Sequence, residues 1–198
     1  SLATCILVFM TILYFVFFRP AGEVVSFPER KILVVLPFKN LGPMEDEYFA
    51  DGITEEITSR LSELKQLGVI GRTSADQYKN TKKSIDQIGE ELGVDYLLEG
   101  SVRWEKVAGL ESRIRVTPQL IKVSDRTHIW TKRYDAILES VFDVQADIAE
   151  KVANALNITL LGAEQKSISQ KPTDNLQAYD YYLRGKRYFE QGTAKESY

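Results

Sequence analysis

Two segments near the middle of the chain alternate between apolar and polar residues, and this alternation restricts the possible folds more than any other feature. In the segment 98–104 every second residue is apolar or glycine, and in the segment 113–120 Ile114, Val116 and Leu120 alternate with polar residues. Because successive side chains of a strand point to opposite faces of a sheet, the pattern predicts two strands with one buried and one polar face. A turn at Gly109 separates them.

The polar positions of these two strands form the surface for which the sequence most favours a binding role. We call it the docking face; it comprises Glu99, Ser101, Arg103, Arg113, Arg115, Thr117 and Gln119. It is either a solvated sheet face with cross-strand ion pairs, or a surface that binds a protein partner or the following repeats of the same chain.

The other patterns between residues 31 and 161 complete a small α/β domain. The apolar residues of its helices recur every three or four positions, and Gln145 interrupts the last of these stripes. Ser84, with Gln87 three residues later, marks a helix start, and Gly93 marks its end. The predicted elements are strand 31–38, helix 49–64, strand 67–72, helix 84–92, the two alternating strands, strand 127–134 and helix 138–160. This order, β-α-β-α-β-β-β-α, predicts an α/β sandwich with a mixed sheet.

The first eighteen residues carry no charge and are followed by Arg19 and Pro20. As a helix they would be about 27 Å long, close to the hydrocarbon thickness of a bilayer. Residues 1–19 are therefore predicted to form a transmembrane helix, with 1–18 in contact with lipid and 20–30 as a linker. A signal peptide and a buried core helix are the alternatives. The chain begins at Ser1 and not at Met, which indicates a natural start upstream.

The end of the chain has the pattern of a helical repeat. Residues 162–173 are polar and predict a linker. In the segment 174–198, Tyr181, Gly185, Tyr188 and Gly192 lie close to the spacing of a tetratricopeptide helix. Arg184 stands where leucine is usual. We predict the start of a first tetratricopeptide repeat, truncated within its second helix.

The composition argues against several function classes. A net charge of −3 and a pI near 5.4 do not favour nucleic-acid binding. With one cysteine, Cys5, and one histidine, His128, neither a disulfide framework nor the usual zinc and histidine-based sites are expected. We therefore predict no metal, no cofactor and no small-molecule ligand.

Other candidate sites have a simpler structural interpretation. Asp51, Glu55 and Glu56 are better explained as a solvated, dipole-favoured first helical turn than as catalytic carboxylates, and Gly52 as a site of close packing against a strand. His128 is interpreted as structural. Three glycines, Gly89, Gly93 and Gly100, lack the spacing of a phosphate loop. Four tyrosines are assigned to packing between helices: Tyr179, Tyr181, Tyr182 and Tyr188. No catalytic residue is predicted.

Six motifs in order resemble the TolB-like N-terminal, FlgO-related domain of bacterial membrane proteins. They are 35–41 (VLPFKNL), 47–57 (EYFADGITEEI), 69–74 (VIGRTS), 88–103 (IGEELGVDYLLEGSVR), 114–121 (IRVTPQLI) and 128–135 (HIWTKRYD). The resemblance covers roughly residues 31–161. In that family the domain commonly stands between a transmembrane helix and tetratricopeptide repeats. The module upstream is often a CadC-like regulator, an adenylate/guanylate cyclase or a kinase.

The resemblance implies an extracytoplasmic α/β domain without enzymatic activity of its own. It suggests a non-catalytic interaction or sensory module of a single-pass inner-membrane signalling protein, with a periplasmic domain and repeats that bind protein partners. Two alternatives stay open. The chain is then either the extracytoplasmic half of a nucleotide cyclase or kinase, or an envelope-assembly scaffold. The oligomeric state is left open.

Overall fold

The structure of the protein is a computed structural model that describes residues 30–106 and 112–196. Its strands are β1 (Lys31–Val35), β2 (Lys39–Asn40), β3 (Leu67–Val69), β4 (Tyr96–Glu105), β5 (Arg113–Lys122), β6 (Thr127–Thr131) and β7 (Tyr134–Ile137). Its α-helices are α1 (Glu47–Ser62), α2 (Arg72–Asp76), α3 (Ile85–Leu92), α4 (Val141–Ala155), α5 (Gly162–Ser169) and α6 (Leu176–Glu196). Short 3₁₀ turns at Met44–Asp46 and Leu138–Ser140 lead into α1 and α4.

The strands form one mixed sheet in the order β3-β1-β4-β5-β6. β1 lies parallel to both β3 and β4, whereas β5 runs antiparallel to β4 and β6. β2 continues beside β4, and β7 continues beside β5. The mixed α/β sheet predicted from the sequence is confirmed.

Helices cover both faces of the sheet because the chain reverses direction across it. The connection from β1 to β3 moves one way, and the connection from β3 to β4 returns past β1. Since such crossovers are right-handed, the two connections must lie on opposite faces. Two separate apolar clusters match this expectation. The larger contains Leu33 and Leu98 and is closed by α1 and α4, while the smaller contains Leu97 and Ile121 and is closed by α2 and α3.

Local signals predicted the best-defined elements correctly. Ser84 and Gln87 form the reciprocal capping box of α3, and Gly93 ends this helix in the left-handed conformation with φ +62°. In β5 the apolar positions are buried and the arginines Arg113 and Arg115 are exposed.

The predicted strand 127–134 is divided in two, β6 and β7. Leu120 pairs with Trp130 and Ile121 with His128, so Ile129 is an extra residue on β6. Such a β-bulge interrupts the alternation of side chains between the two faces. His128 and Trp130, two positions apart, therefore do not share a face.

The segment 162–173, predicted as a polar linker, contains α5. The Glu164 carboxylate accepts hydrogen bonds from the backbone N–H groups of Leu161 (2.9 Å) and Lys65 (3.1 Å). These bonds hold the pKa of Glu164 below its ordinary value. Ile168 is buried in the larger apolar cluster. These few anchoring residues are enough to dock the helix on the domain. Because the rest of the segment is polar, its composition did not predict a helix here.

The predicted start of a tetratricopeptide repeat is instead one continuous helix, α6, which passes Gly192 without a turn. Tyr179 and Leu183 are buried in the core of the α/β domain. The prediction of a repeat solenoid is therefore wrong. The helix that was expected to open the tetratricopeptide repeat is α6, and it packs into the core of the preceding α/β domain.

The membrane-related predictions also need correction. Among residues 30–106 and 112–196, none of the helices combines the length and the apolarity needed to span a bilayer. The predicted transmembrane helix 1–19, the lipid contact of 1–18 and most of the linker 20–30 lie outside the described residues. A fold class that joins a membrane helix, an α/β domain and a repeat solenoid is thus wrong, and a mixed α/β fold replaces it. The predicted single-pass inner-membrane localisation, with a periplasmic domain, depended on that fold class and is wrong with it.

Candidate interaction surface

The structure brings the docking face together as predicted. Across the β4–β5 ladder Glu99 lies opposite Gln119 and Ser101 opposite Thr117. Further along, Arg103 lies opposite Arg115. All seven residues therefore point to one side of the sheet. Whether this side binds a partner stays a prediction.

Within residues 30–106 and 112–196, helices cover only one end of this side of the sheet. Leu97 and Ile121 belong to the same face by strand alternation and are buried beneath α2 and α3. At the other end Arg103 and Arg113 are exposed. The docking face is thus the half of the sheet that the helices of the described part of the chain leave open.

A cleft of about 600 Å³ marks the border between the covered and the open half. Glu99, Ser101 and Gln119 line it from the sheet, and Tyr78 and Lys79 line it from the segment after α2. It lies beyond the carboxyl end of β1, where open α/β sheets commonly bind ligands.

Ion pairs already occupy the lysine in this cleft. The Lys79 ammonium lies 2.7 Å from Asp51 and 2.9 Å from Glu47. Partial burial works against the charged form, but these carboxylates raise the pKa of Lys79 above its ordinary value. Lys79 is therefore charged and locally neutralised, and the cleft as a whole carries both signs.

The far end of the docking face is rich in arginine. Arg113 and Arg115 line a shallow depression of about 330 Å³ together with Glu105 and Asp135. Arg115 is ion-paired with Asp135, and its hydrogen bond holds the pKa of that carboxyl below the ordinary value. Among the described residues, Arg103 and Arg113 form no ion pair within 4 Å.

The carboxylates of α1 hold other elements against this helix. Besides Asp51, Glu55 pairs with Arg72 at 2.7 Å and also contacts Lys186 of α6. Glu56, by contrast, pairs at 2.9 Å with Arg60 of α1 itself, and Arg60 in turn donates a hydrogen bond to the backbone carbonyl of Ile168 in α5. The sequence predicted that these carboxylates are solvated. The structure shows that basic side chains bind them.

The remaining sequence candidates are distributed over the surface and the core. His128 is exposed on β6. Tyr179 packs against Phe142 with ring centroids 4.9 Å apart, as predicted for inter-helix packing. Tyr181, Tyr182 and Tyr188 are exposed instead. Gly52 is a close-packing site, but it packs against Leu183 of α6 and not against a strand.

The sequence patterns did not indicate the charged residues that border the docking face. Lys79 lies between α2 and α3, where no element was predicted. Asp135 is the first residue after the predicted strand 127–134. Tyr134 is buried and Asp135 is exposed, so a continued alternation of apolar and polar residues was the signal that could have extended the strand. In the described part of the chain, no group of three or more His, Cys, Asp or Glu side chains could hold a metal ion.

Comparison with known proteins gives one relative with substantial sequence identity. The chain is 38% identical over 171 residues to "Putative adenylate cyclase 3" of Rhizobium meliloti (strain 1021). The match covers 86% of this chain and 28% of that protein. The chain thus spans little more than a quarter of the length of its relative. No family model matches the sequence.

Three solved structures are among those similar to this chain. TolB from Acinetobacter baumannii has a TM-score of 0.48 at 12% identity, with 65% of this chain and 28% of that chain covered. The PelC dodecamer from Paraburkholderia phytofirmans has a TM-score of 0.44 at 16% identity, covering 66% and 89%. Lipoprotein GNA1162 from Neisseria meningitidis has a TM-score of 0.46 at 12% identity, covering 63% and 99%.

Proposed function

We propose that this chain is a non-catalytic protein-binding module of a larger signalling protein, and that it binds an acidic surface of its partner through the docking face. The observation that carries the proposal is the open half of the sheet, where Arg103, Arg113 and Arg115 project together from two adjacent strands. The identity to a cyclase-named protein supports the signalling context. On this proposal, any nucleotide cyclase activity belongs to residues outside this chain.

The arrangement of charge on the docking face favours an anionic partner. Arg103 and Arg115 are directly opposed across the ladder, and like charges in that position destabilise a sheet. Asp135 offsets one of the two. The whole chain carries a net charge of −3, so this cluster stands out from an acidic background. An acidic partner would relieve the repulsion and gain charge-assisted hydrogen bonds from the guanidinium groups.

The proposal is tested by reversing the charge of the cluster. We expect the triple variant Arg103→Glu, Arg113→Glu, Arg115→Glu to lose the partners that the tagged full-length protein recovers after chemical cross-linking in its own host. The control is Lys65→Glu, Lys82→Glu, Lys166→Glu, which changes the net charge equally at three other exposed positions. The control should keep those partners, and added salt should weaken the wild-type recovery.

Equal recovery by both triple variants, each with an unchanged circular-dichroism spectrum, would leave the docking face as ordinary solvated sheet and would contradict the proposal. Its non-catalytic part has a separate test. The 198-residue chain, incubated with ATP or GTP and Mg²⁺, is expected to form no cyclic nucleotide above the buffer background. Formation of cyclic nucleotide would contradict this part.

A further inference from the structure

The strands β6 and β7 together form one edge of the sheet in the described part of the chain. Both pair with β5 in the same register, because Gln119 lies opposite Thr131 of β6 and Val116 lies opposite Tyr134 of β7. Among the described strands, none pairs with the far side of β6 or β7. The bulge in β6 ends this register on one side, so the regular part of the edge covers residues 130–137.

A proline explains the gap between β6 and β7. In the shared register Pro118 lies opposite Lys132, and the Lys132 N–H donates to the Pro118 carbonyl at 3.4 Å. Proline has no N–H that could return a hydrogen bond, so one bond of the ladder is missing while the register continues. Beyond β7, the Leu138 N–H donates to the carbonyl of Ser112, again in the same register.

The backbone groups of every second residue along this edge point away from the sheet. The N–H groups of Lys132 and Leu138 point towards β5, so by strand alternation those of the odd-numbered residues point outwards. The outward residues are Thr131, Arg133, Asp135 and Ile137. In the part of the protein that the structure describes, none of their backbone N–H groups has a hydrogen-bond partner. A row of open backbone donors on an edge strand is a template for pairing with another strand.

We propose that this edge pairs with the same edge of a second copy of the chain, antiparallel about a two-fold axis at Tyr134. Arg133 then lies opposite the partner's Asp135, and Asp135 lies opposite the partner's Arg133. Each of these pairs exchanges two backbone hydrogen bonds, because the outward groups of both residues face each other. The interface is self-complementary, as a two-fold dimer requires, and it joins the two sheets into one by strand addition.

Charge selects this register over its neighbours. The outward backbone groups repeat every second residue, so the competing registers shift the partner strand by two residues in either direction. One shift places Arg133 opposite the partner's Arg133, and the other places Asp135 opposite the partner's Asp135. Like charges directly opposite each other destabilise a sheet, whereas opposite charges stabilise it. Both side chains are exposed, at 67% for Arg133 and 47% for Asp135.

The dimer would place both docking faces on one side of the joined sheet. Asp135 lies opposite Arg115 of the docking face and is ion-paired with it, so the outward residues of the edge point to the same side as that face. Residues opposite each other in an antiparallel pair also share a side, so the two-fold axis is perpendicular to the sheet. Formation of the dimer requires no bound partner protein, and it is therefore independent of the proposed docking function.

A proline on the edge tests the pairing without interrupting the ladder to β5. Proline is tolerated on an edge strand where the N–H faces away from the sheet, so Arg133→Pro should keep the fold. It removes one donor from each copy and should weaken self-association about tenfold. The measurement is sedimentation equilibrium of the 198-residue chain, kept in mild detergent because residues 1–18 are apolar. Lys82→Pro is the matched control, because it removes the same charge from an exposed loop, and it should leave the association unchanged.

An exchange of the two charges tests the register. Arg133→Asp alone and Asp135→Arg alone each place like charges opposite each other across the axis, so each should weaken the dimer. The double variant Arg133→Asp, Asp135→Arg restores opposite charges and should associate more tightly than either single variant. This exchange decides the matter if Arg133→Pro alters the circular-dichroism spectrum.

Three results would overturn the proposal. The first is a wild-type chain that stays monomeric at about 200 µM. The second is a dimer that a correctly folded Arg133→Pro variant does not weaken, which would place the contact elsewhere in the chain. The third is a double charge variant that associates no better than the single ones. All are measured on the purified chain without a partner protein, so they leave the test of the docking face unaffected.

Discussion

Leu183 of α6 occupies the space that a side chain at Gly52 of α1 would need. An ideal Cβ on Gly52 would lie 2.6 Å from both Leu183 Cδ atoms. Next to this contact, the Tyr48 hydroxyl donates a hydrogen bond of 2.6 Å to Asp180. Gly52 is therefore the position on α1 that allows α6 to dock closely on the α/β domain.

This contact predicts coupling between the two residues in a double-mutant cycle. Gly52→Ala gains up to about 1 kcal/mol of helix propensity, but we expect the overlap with Leu183 to make it destabilising by about 1 kcal/mol. Leu183→Ala should cost about 2–3 kcal/mol through the cavity that it leaves. In the double variant the new methyl group fills part of that cavity, so the free energy of unfolding should fall by less than the sum of the single effects. Urea denaturation measures all four proteins, and additive effects would contradict the contact.

The opposed arginines of the docking face predict a gain of stability on charge reversal. Arg103→Glu converts the like-charged pair with Arg115 into an opposite pair and should raise the free energy of unfolding by about 0.5 kcal/mol. Arg113→Glu is the internal control: Arg113 lies opposite Glu105, so the same substitution there creates two opposed carboxylates and should destabilise. Both effects should shrink in 0.5 M salt. Effects of the same sign in the two variants would show that cross-strand charge does not control stability here.

The parts of the fold that the sequence predicted correctly depend on short-range patterns. Ser84 caps α3 from three residues away, and the alternation of β5 is set by its own residues and its hairpin partner β4. The docking face followed from that alternation, and the structure brings its residues together for the same reason.

The parts that failed depend on contacts between distant residues. The contact of Leu183 in α6 with Gly52 joins positions more than 120 residues apart. A tyrosine-rich helix has the same local sequence pattern whether it belongs to a tetratricopeptide repeat or packs on this domain, so the pattern alone did not distinguish the two. α5 is docked by Glu164 and Ile168, two positions in a polar segment. The bulge at Ile129 is also invisible locally, because it arises from the pairing of β6 with β5.

The glutamine that interrupts the apolar stripe of α4 predicts a stabilising substitution. Gln145 is fully buried beside the Tyr179 hydroxyl, but in the described part of the protein neither polar atom of its side chain reaches a partner with hydrogen-bond geometry. Burial of an unsatisfied amide costs about 1–3 kcal/mol. Gln145→Met keeps the length of the side chain and should raise the free energy of unfolding by about 1 kcal/mol. Gln165→Met on the exposed side of α5 is the control and should change it by less than about 0.5 kcal/mol. A destabilised Gln145→Met variant would show that the amide does make a bond in solution.

The ion pair of Asp147 predicts how stability depends on pH. Partial burial opposes the charged form of Asp147, but hydrogen bonds from Lys132 (2.8 Å) and the Tyr134 hydroxyl (2.7 Å) hold its pKa below the ordinary value. Because the folded-state pKa is the lower one, the stabilisation is fully present above the unfolded-state pKa of about 3.9 and is lost as the pH falls through the folded-state pKa. Asp147→Asn should therefore be destabilising at pH 7 and progressively less so below about pH 4. Urea denaturation at pH 7, 5, 4 and 3 measures this difference, with Asp143→Asn, an exposed position on the same helix, as the control. A deficit of Asp147→Asn that stays constant from pH 7 to pH 3 would mean that Asp147 acts through packing and not through its charge.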